Sequence, residues 1–505
     1  MVFLRKHRLE IVLLVLITGV FFASRLYNIV SLPIFTDEAI YIRWSQIAKQ
    51  DANWRFISLT DGKQPMFVWI SMIFMHFVKD PLLAGRLVSV FAGFFTMIGL
   101  FFLGREIFKS RFIGIASAVL YTIYPFALVY DRMALYDSLV GTFAVWGLYF
   151  IILLARRVRL DVALILGMVL GGGVLTKTTG FLSIYLLPFS LLLFDWQKTQ
   201  RAKRLLKLFG LGIAAVVLTY GFYSILRLSP FFHIITDKNA LFVYPLKEWL
   251  EHPYRFLYGN LRGEWDWLWR YLTFSGILLL ALSLFPDRKF QKEKIFLFLW
   301  FLTPFILLAL FGRVLYPRFI FFMTLPLLAL ISFSLLRLKE LLKNKILLVG
   351  CILFFSIVPL YSDYLIIADF SHASIPVSDL RQYNNDWPAG GGVRESIQFF
   401  KEQAKKGKIY IGTQGTFGLL PYALEIYLLG DPNITIEGLW PIEATIPQKV
   451  KEKSQKMPTY FIFYQPCNYC KFVGTAPVTW NSLNIIYQYK KAYGVRYYSL
   501  YQVLP

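Results

Sequence analysis

Cysteine is scarce in this chain: Cys351 stands alone in an apolar block, and Cys467 and Cys470 lie close to the C-terminus. Three cysteines cannot build a disulfide framework. A CxxC without a second pair does not make a complete cysteine zinc site, so a local disulfide is the expected state of Cys467 and Cys470. The five histidines are scattered; His233 and His252 fall in one loop, where a lone histidine is more often solvated than a ligand. No Walker sequence is present and no GxGxxG follows a strand, which argues against ATP-driven transport. The triplet Gly171, Gly172 and Gly173 sits inside an apolar block and reads as close helix packing.

Charge is also sparse. Charged residues make up 16% of the chain against 57% hydrophobic, and mean hydropathy is +0.54. Apolarity repeated in blocks of about 20 residues excludes a soluble multidomain protein and marks a polytopic α-helical membrane protein. Acids are outnumbered, 30 to 53, for a net charge of +23. The basic residues fall in short clusters between apolar blocks, however, which is the pattern of membrane insertion and gives no support to a nucleic-acid partner.

Blocks able to span a bilayer lie near residues 9–28, 84–103, 112–130, 137–155, 160–176, 179–195, 207–226, 266–285, 294–311, 319–336 and 345–362, eleven in all. The first follows basic residues as a signal peptide would, but nothing small and cleavable comes before Arg25, so it reads as a retained span. The block at 66–78 reaches only ~20 Å at ~1.5 Å per residue, short of a hydrocarbon core of ~30 Å. Parity places it outside the count. If it does not span, the clusters Arg5/Lys6/Arg8, Arg105/Lys109/Arg111, Arg156/Arg157/Arg159, 198–207, 288–294 and 337–345 all share one face, the cytoplasmic one. The block at 66–78 is then expected to lie in the interface. The loop 29–81, the junctions 131–137, 176–179, 228–264 and 312–318, and the C-terminal region fall outside the cytoplasm.

That outer face gathers the residues with chemical potential. Asp37 and Glu38 open an amphipathic run, where the plain reading is that Thr36 or Asp37 caps a helix. Capping accounts for one acid but not for the charges at the other outer junctions. Asp131 and Arg132 read as a local pair, while Asp137, at the start of an apolar block, is the better functional candidate, since ionisable groups at membrane depth default to function or pairing. Lys63, Arg86, Arg132, Lys177, Arg255, Arg262, Arg313 and Arg318 put positive charge where insertion disfavours it, and phosphate is the counter-anion that suits them. Arg86, Arg255 and Arg262 are read as interfacial snorkelling; the flanking residues favour Lys63 and Lys177. The run Trp265, Trp267, Trp269 fits an interfacial aromatic belt. A carboxylate that deprotonates an acceptor, beside cations that hold a lipid-linked phosphate, is the equipment for group transfer from a lipid phosphate.

In their order along the first 340 or so residues, FTDEAIYIRWSQ, KQP, GRLVSVFAGFFTMIGLFFLGREIF, RMALYDSLVGTF, LTKTTGFL and YPRFIFFMTLPLLAL resemble the motifs of bacterial GT-C glycosyltransferases. The branch is that of the protein O-mannosyltransferases and the lipid A aminoarabinose transferases. The resemblance implies a polyprenyl-phosphate-linked sugar donor and inverting, mannosyltransferase-like transfer to a protein, lipid or glycan acceptor on the extracytoplasmic face. It sets Asp37 on the catalytic acid of the first loop, with Glu38 beside it, and Asp137 on the acid of the second outer loop. Lys63 falls on the donor-phosphate cation, Lys177 on the LTK junction, and Arg313 and Arg318 where the family has further phosphate-facing cations; Arg132 joins this set. Gln64 departs from the two prolines common after the lysine. No metal ligand set is assigned; for Glu38, acceptor binding and a divalent ion both stay open.

After Asp363 hydropathy falls. Residues 408–413 read as a strand, 417–429 as a helix and 433–437 as a second strand, with further strands at 459–464 and 497–503. The expected organisation is a transmembrane GT-C module over 1–366, with its outer loop at 29–81, and a soluble extracytoplasmic α/β domain over 367–505. Its WPAGGGVRESIQFF and YIGTQGTFGLLPYAL resemble the tails of family members and carry no assigned activity. The Asn433-Ile-Thr sequon is treated as chance. The expected site is a multi-pass cell membrane with the N-terminus cytoplasmic. Two rivals of other classes are a lipid or polysaccharide transporter, which needs charges distributed through the spans, and a non-catalytic sugar-lipid binding protein.

Overall fold

The computed structural model describes residues 8–287, 289–342, 344–491 and 495–505. Arg5, Lys6, Arg288 and Lys343 of the basic clusters lie outside the described residues. The chain is mostly helical, with a small sheet at its C-terminal end. Among the described residues, six helices are long and apolar enough to cross a membrane. They are Pro81–Phe108 (α4), Tyr136–Arg157 (α7), Arg201–Ser224 extended to Leu228 (α9), Gln291–Phe311 (α11), Phe321–Leu341 (α12) and Lys345–Ala368 (α13). The pair Arg111–Thr122 (α5) and Pro125–Asp131 (α6) makes a seventh if its 60° bend is one broken span.

The other expected blocks have local reasons to fall short. Arg8–Leu26 (α1) and Leu160–Thr176 (α8) are helices of 19 and 17 residues. The block at 179–195 is split into short 3-10 and α turns by Pro188. Leu257–Ser283 (α10) carries several charges and breaks at Thr273, whose φ of 63° no α-helix accommodates. The helix Met66–Phe77 (α3) has 12 residues, too few to span.

Packing follows from the small residues. α8 lies between α7 and α9, and a Cβ on Gly172 would strike the Phe143 ring while one on Gly171 would strike Phe222. These are the close contacts expected of the glycine triplet. α12, buried from Phe321 to Ser334, is the central post, touching α5, α7, α10 and α11. α13 stays at the periphery, with most of its apolar surface open. At one end of the bundle the basic junctions are cross-tied: Arg156 pairs with Glu293 at 3.0 Å and with Glu106 at 3.2 Å, and Arg337 pairs with Asp287. The connectivity puts Asp37, Asp137, Lys177 and Arg318 at the opposite end.

The C-terminal sheet has five strands: Ile409–Gln414 (β1), Ile434–Leu439 (β2), Thr459–Phe463 (β3), Leu483–Lys490 (β4) and Tyr497–Val503 (β5), in the order β2-β1-β3-β5-β4. β1 pairs in parallel with β2 and β3, and β5 runs antiparallel to both β3 and β4. The expected βαβ unit is present, its helix shortened to Tyr422–Leu428 after Pro421. β4 is the strand the sequence reading passed over: Leu483, Ile485, Tyr487 and Tyr489 alternate with Asn484, Gln488 and Lys490, on an edge strand whose residues are mostly exposed. Cys467 and Cys470 form a disulfide, as expected of the CxxC.

Candidate active site

The helix Thr36–Gln50 (α2) positions the first acid pair, and the two carboxylates have different work. Glu38 is fully buried; its Oε2 accepts from the Phe35 backbone N–H at 2.9 Å, closing the N-terminus of α2 from three residues downstream. Its two oxygens also take the Arg86 guanidinium, each at 2.8 Å, and Oε1 accepts the Ala134 N–H at 2.7 Å. This corrects two expectations. Glu38 has no lone pair to spare for a cation or an acceptor, so it is a structural acid. Arg86 does not snorkel: it is fully buried and its remaining donors hold the carbonyls of Ile29, Leu32 and Pro33. The capping role expected of Thr36 or Asp37 belongs to Glu38.

Freed from capping, Asp37 turns to the YPRF junction, where its Oδ2 meets Arg318 Nη1 at 2.9 Å. Burial by itself would raise the Asp37 carboxyl, but the charges of Arg318 and then Lys63 outweigh it and hold the group below its ordinary value. Lys63 reaches the same space from the loop before α3, with its ammonium 5.6 Å from the Phe242 ring centroid. Among the described residues it has no direct ion pair. Burial pushes it down to about 8, against the pull of Asp37 and with the repulsion of Arg318 and Lys177.

Asp137, at the N-terminus of α7, accepts from Lys177 Nζ at 2.7 Å. Lys177 in turn sits 4.9 Å from the centroid of Phe319, the residue after Arg318. Gln64, standing where the family has proline, donates to Thr178 Oγ1 at 2.8 Å and ties the Lys63 loop to the LTK junction. Phe242 packs edge-on against Phe319 at 5.8 Å. Asp37, Lys63, Asp137, Lys177 and Arg318 therefore form one cluster of alternating charge, built from five separate segments.

Two expected cations lie elsewhere. Arg132 gives its donors to the carbonyls of Ser24, Arg25, Tyr27 and Asn28, at 2.8, 3.1, 2.8 and 3.3 Å. It caps the C-terminal end of α1, where the helix dipole favours a cation, and is corrected from phosphate ligand to helix cap. Nor does it pair with Asp131, which bonds Arg25 at 3.4 Å, Tyr121 at 3.0 Å and Ser138 at 2.8 Å. Arg313 pairs with Glu248 at 3.0 Å, lies over Tyr244 and lines a separate cavity of about 210 Å³ with Trp249 and Arg255.

Sequence reasoning missed Asp379. It comes from a helical turn, Val377–Leu380, and is fully buried, taking hydrogen bonds from Tyr130 at 2.8 Å and from Tyr271. Its Oδ1 has no partner among the described residues. Burial raises it to about 7, and Arg318 is close enough to oppose that rise. No motif surrounds it; only the fold brings it beneath the cluster. Among the described residues no three His, Cys, Asp or Glu side chains are grouped as a metal would require.

Comparison with known proteins fits this geometry. Residues 62–222 match the family of dolichyl-phosphate-mannose-protein mannosyltransferases. A curated relative, undecaprenyl phosphate-alpha-4-amino-4-deoxy-L-arabinose arabinosyl transferase of Pseudomonas aeruginosa strain UCBPP-PA14, is 28% identical over 322 residues. That alignment covers 60% of this chain and 55% of the relative, so the chain spans about half the length of the curated relatives it matches. The crystal structure of ArnT from Cupriavidus metallidurans bound to undecaprenyl phosphate superposes with a TM-score of 0.60 at 14% identity, covering 98% of each chain. The archaeal oligosaccharyltransferase AglB from Archaeoglobus fulgidus, in complex with an inhibitory peptide and a dolichol-phosphate, gives 0.52 at 12% identity, covering 90% of this chain and 69% of that one. The match over residues 62–222 and the shared fold make the chain similar to the protein mannosyltransferases and the aminoarabinose transferases.

Proposed function

We propose that the chain is an inverting glycosyltransferase that takes its sugar from a polyprenyl-phosphate carrier and passes it to an acceptor hydroxyl or amine at the extracytoplasmic face of the cell membrane. The observation that carries this reading is the charge cluster in which Asp37 pairs with Arg318 and feels the charge of Lys63. Asp37 removes the acceptor's proton as the acceptor atom attacks the anomeric carbon. The bond from that carbon to the phosphate oxygen breaks, and the polyprenyl phosphate leaves with its electron pair. Lys63, which has no ion pair of its own among the described residues, and Arg318, shared with Asp37, stabilise that departing charge in a water-poor site.

The shared arginine gives the two roles an order. An incoming phosphate competes with Asp37 for Arg318, and as the guanidinium turns to the donor the carboxylate loses the charge that holds it acidic and becomes a better base. Lys177 pairs with Asp137 and shapes the wall of the site. The relatives named above act on, or are bound to, undecaprenyl or dolichyl phosphates, which supports the carrier class. In this reading the N-terminus is cytoplasmic and a C-terminal α/β domain over 367–505 lies outside, which the cross-tied basic junctions at the bundle end away from Asp37 support.

The test is transfer of label from radiolabelled polyprenyl-phosphate sugars in membranes holding the wild type or Asp37→Asn. Lost transfer with retained donor binding supports the base; equal transfer by both removes it. A panel of prenyl-phosphate sugars then identifies the sugar.

A further inference from the structure

The WPAGGG stretch at 387–392 has no part in the chemistry above, yet it touches the backbone that carries Asp37. The Pro388 carbonyl accepts from both the Thr36 N–H, at 3.1 Å, and the Thr36 hydroxyl, at 2.9 Å. Gly390 N–H donates to the Ile34 carbonyl at 2.7 Å, and Phe35 and Ala389 form an isolated antiparallel bridge. The residues just before Asp37 are thus gripped as a short strand.

The glycines follow from that grip. A Cβ on Gly390 would stand 2.5 Å from the Ile34 carbonyl oxygen, so only glycine lets the two backbones meet. Gly392 has φ of +94°, a conformation that side chains disfavour. The loop is anchored from behind by Lys491, 1% exposed, whose ammonium donates to the carbonyls of Asp386, Trp387 and Ala389 at 3.2, 3.3 and 2.5 Å. Arg496 adds an ion pair to Asp386 at 2.7 Å. Upstream, Tyr383 packs edge-on against Phe35 at 5.0 Å and donates to the Tyr130 hydroxyl at 3.1 Å, joining the Asp379 network.

We propose that the loop 387–391 of the C-terminal region is a positioning element for the reaction: by clamping the backbone of Ile34, Phe35 and Thr36 it fixes the Asp37 carboxylate relative to Arg318 and the acceptor. The proposal rests on the reading of Asp37 as the base. A helix N-terminus entered from irregular chain frays readily, and a displacement of about 1 Å at a reacting group can cost ~100-fold in rate.

The test uses the full-length protein in detergent, with Gly390→Ala, Thr36→Val, Thr36→Ser and Asp37→Asn. Turnover of a polyprenyl-phosphate sugar, its KM and hydrogen exchange over residues 34–38 are measured. Gly390→Ala is expected to speed exchange there and to lower kcat by about 10–100-fold, with donor KM changed less than about threefold. Thr36→Val, which alters the helical side only and keeps the C-terminal fold intact, is expected to show the same split to a smaller extent, and Thr36→Ser to restore both readouts. Faster exchange with wild-type kcat in Gly390→Ala and Thr36→Val, while Asp37→Asn is inactive, overturns the clamp alone. Full activity of Asp37→Asn overturns the base and with it the catalytic sense of the clamp.

Discussion

Arg318 Nη1 lies 2.9 Å from Asp37 Oδ2, joining the YPRF junction before α12 to the first turn of α2. The guanidinium is held well above its ordinary value: burial works against its charge, and Asp37 overcomes that cost. In the proposed mechanism one group thus serves as counter-ion to the base and as a donor to phosphate. Replacing it with glutamine is expected to lower kcat by about 10²–10³-fold, the usual effect of losing one donor to a developing anion. The acid limb of the pH profile of kcat/KM should also move up, because burial then acts on Asp37 without the arginine. An acid limb unchanged in Arg318→Gln would mean that Asp37 is not the group that titrates.

Lys63 gives a second pH dependence. With its ammonium pushed down to about 8, it is charged below that pH and neutral above it. Binding of polyprenyl phosphate should therefore weaken as pH rises through about 8, measured by titration of the free protein. Lys63→Met should bind weakly throughout and lose this dependence, whereas Lys63→Arg, whose charge persists, should extend binding to higher pH.

The Glu38 and Arg86 pair is expected to govern stability. Removing one partner of a fully buried pair costs about 3–5 kcal/mol. Exchanging both for apolar residues should not rescue it, because Arg86 also satisfies three carbonyls and Glu38 two backbone N–H groups. Thermal unfolding of Glu38→Gln, Arg86→Met and the double variant checks this; a double variant as stable as the wild type would refute it.

Arg132→Ala separates capping from phosphate binding. The four carbonyls it holds lose their donor, so melting temperature should fall, while donor KM per folded molecule stays near wild type. A rise of tenfold or more in donor KM with an unchanged melting temperature would return Arg132 to the phosphate-binding group.

Sidedness is open to thiol chemistry. In intact cells, a membrane-impermeant maleimide added after an impermeant reductant should label Cys467 and Cys470 if the C-terminal region is outside. Without reductant their disulfide should block it. Labelling seen only after the membrane is permeabilised would invert the proposed orientation.

The sequence was most legible where a single physical rule governs a local stretch. Apolar blocks of bilayer length gave the helices, turn residues and β-branched runs gave four of the five strands, and a CxxC without a second pair gave the disulfide. Asp37, Lys63, Asp137, Lys177 and Arg318 were found because charge at an apolar boundary is costly wherever it occurs, and the structure brings these five together. The same rule cannot tell a buried charge that meets substrate from one that meets its own backbone. Glu38 and Arg132 look like site residues in sequence, and Arg86 like a snorkelling cation; all three are internal ties in the fold.

What the sequence determined by itself is the kind of molecule: hydropathy is a sum over neighbours, and so it marks the apolar helices and the boundaries at which charge stands. What only the tertiary structure decided is partnership. Whether Asp37 faces Arg318 rather than capping its own helix, whether Asp379 lies beneath the cluster, and whether a glycine loop some 350 residues away grips Thr36 depend on contacts between distant segments, and the geometry of those contacts is set by packing, which no local window of residues contains.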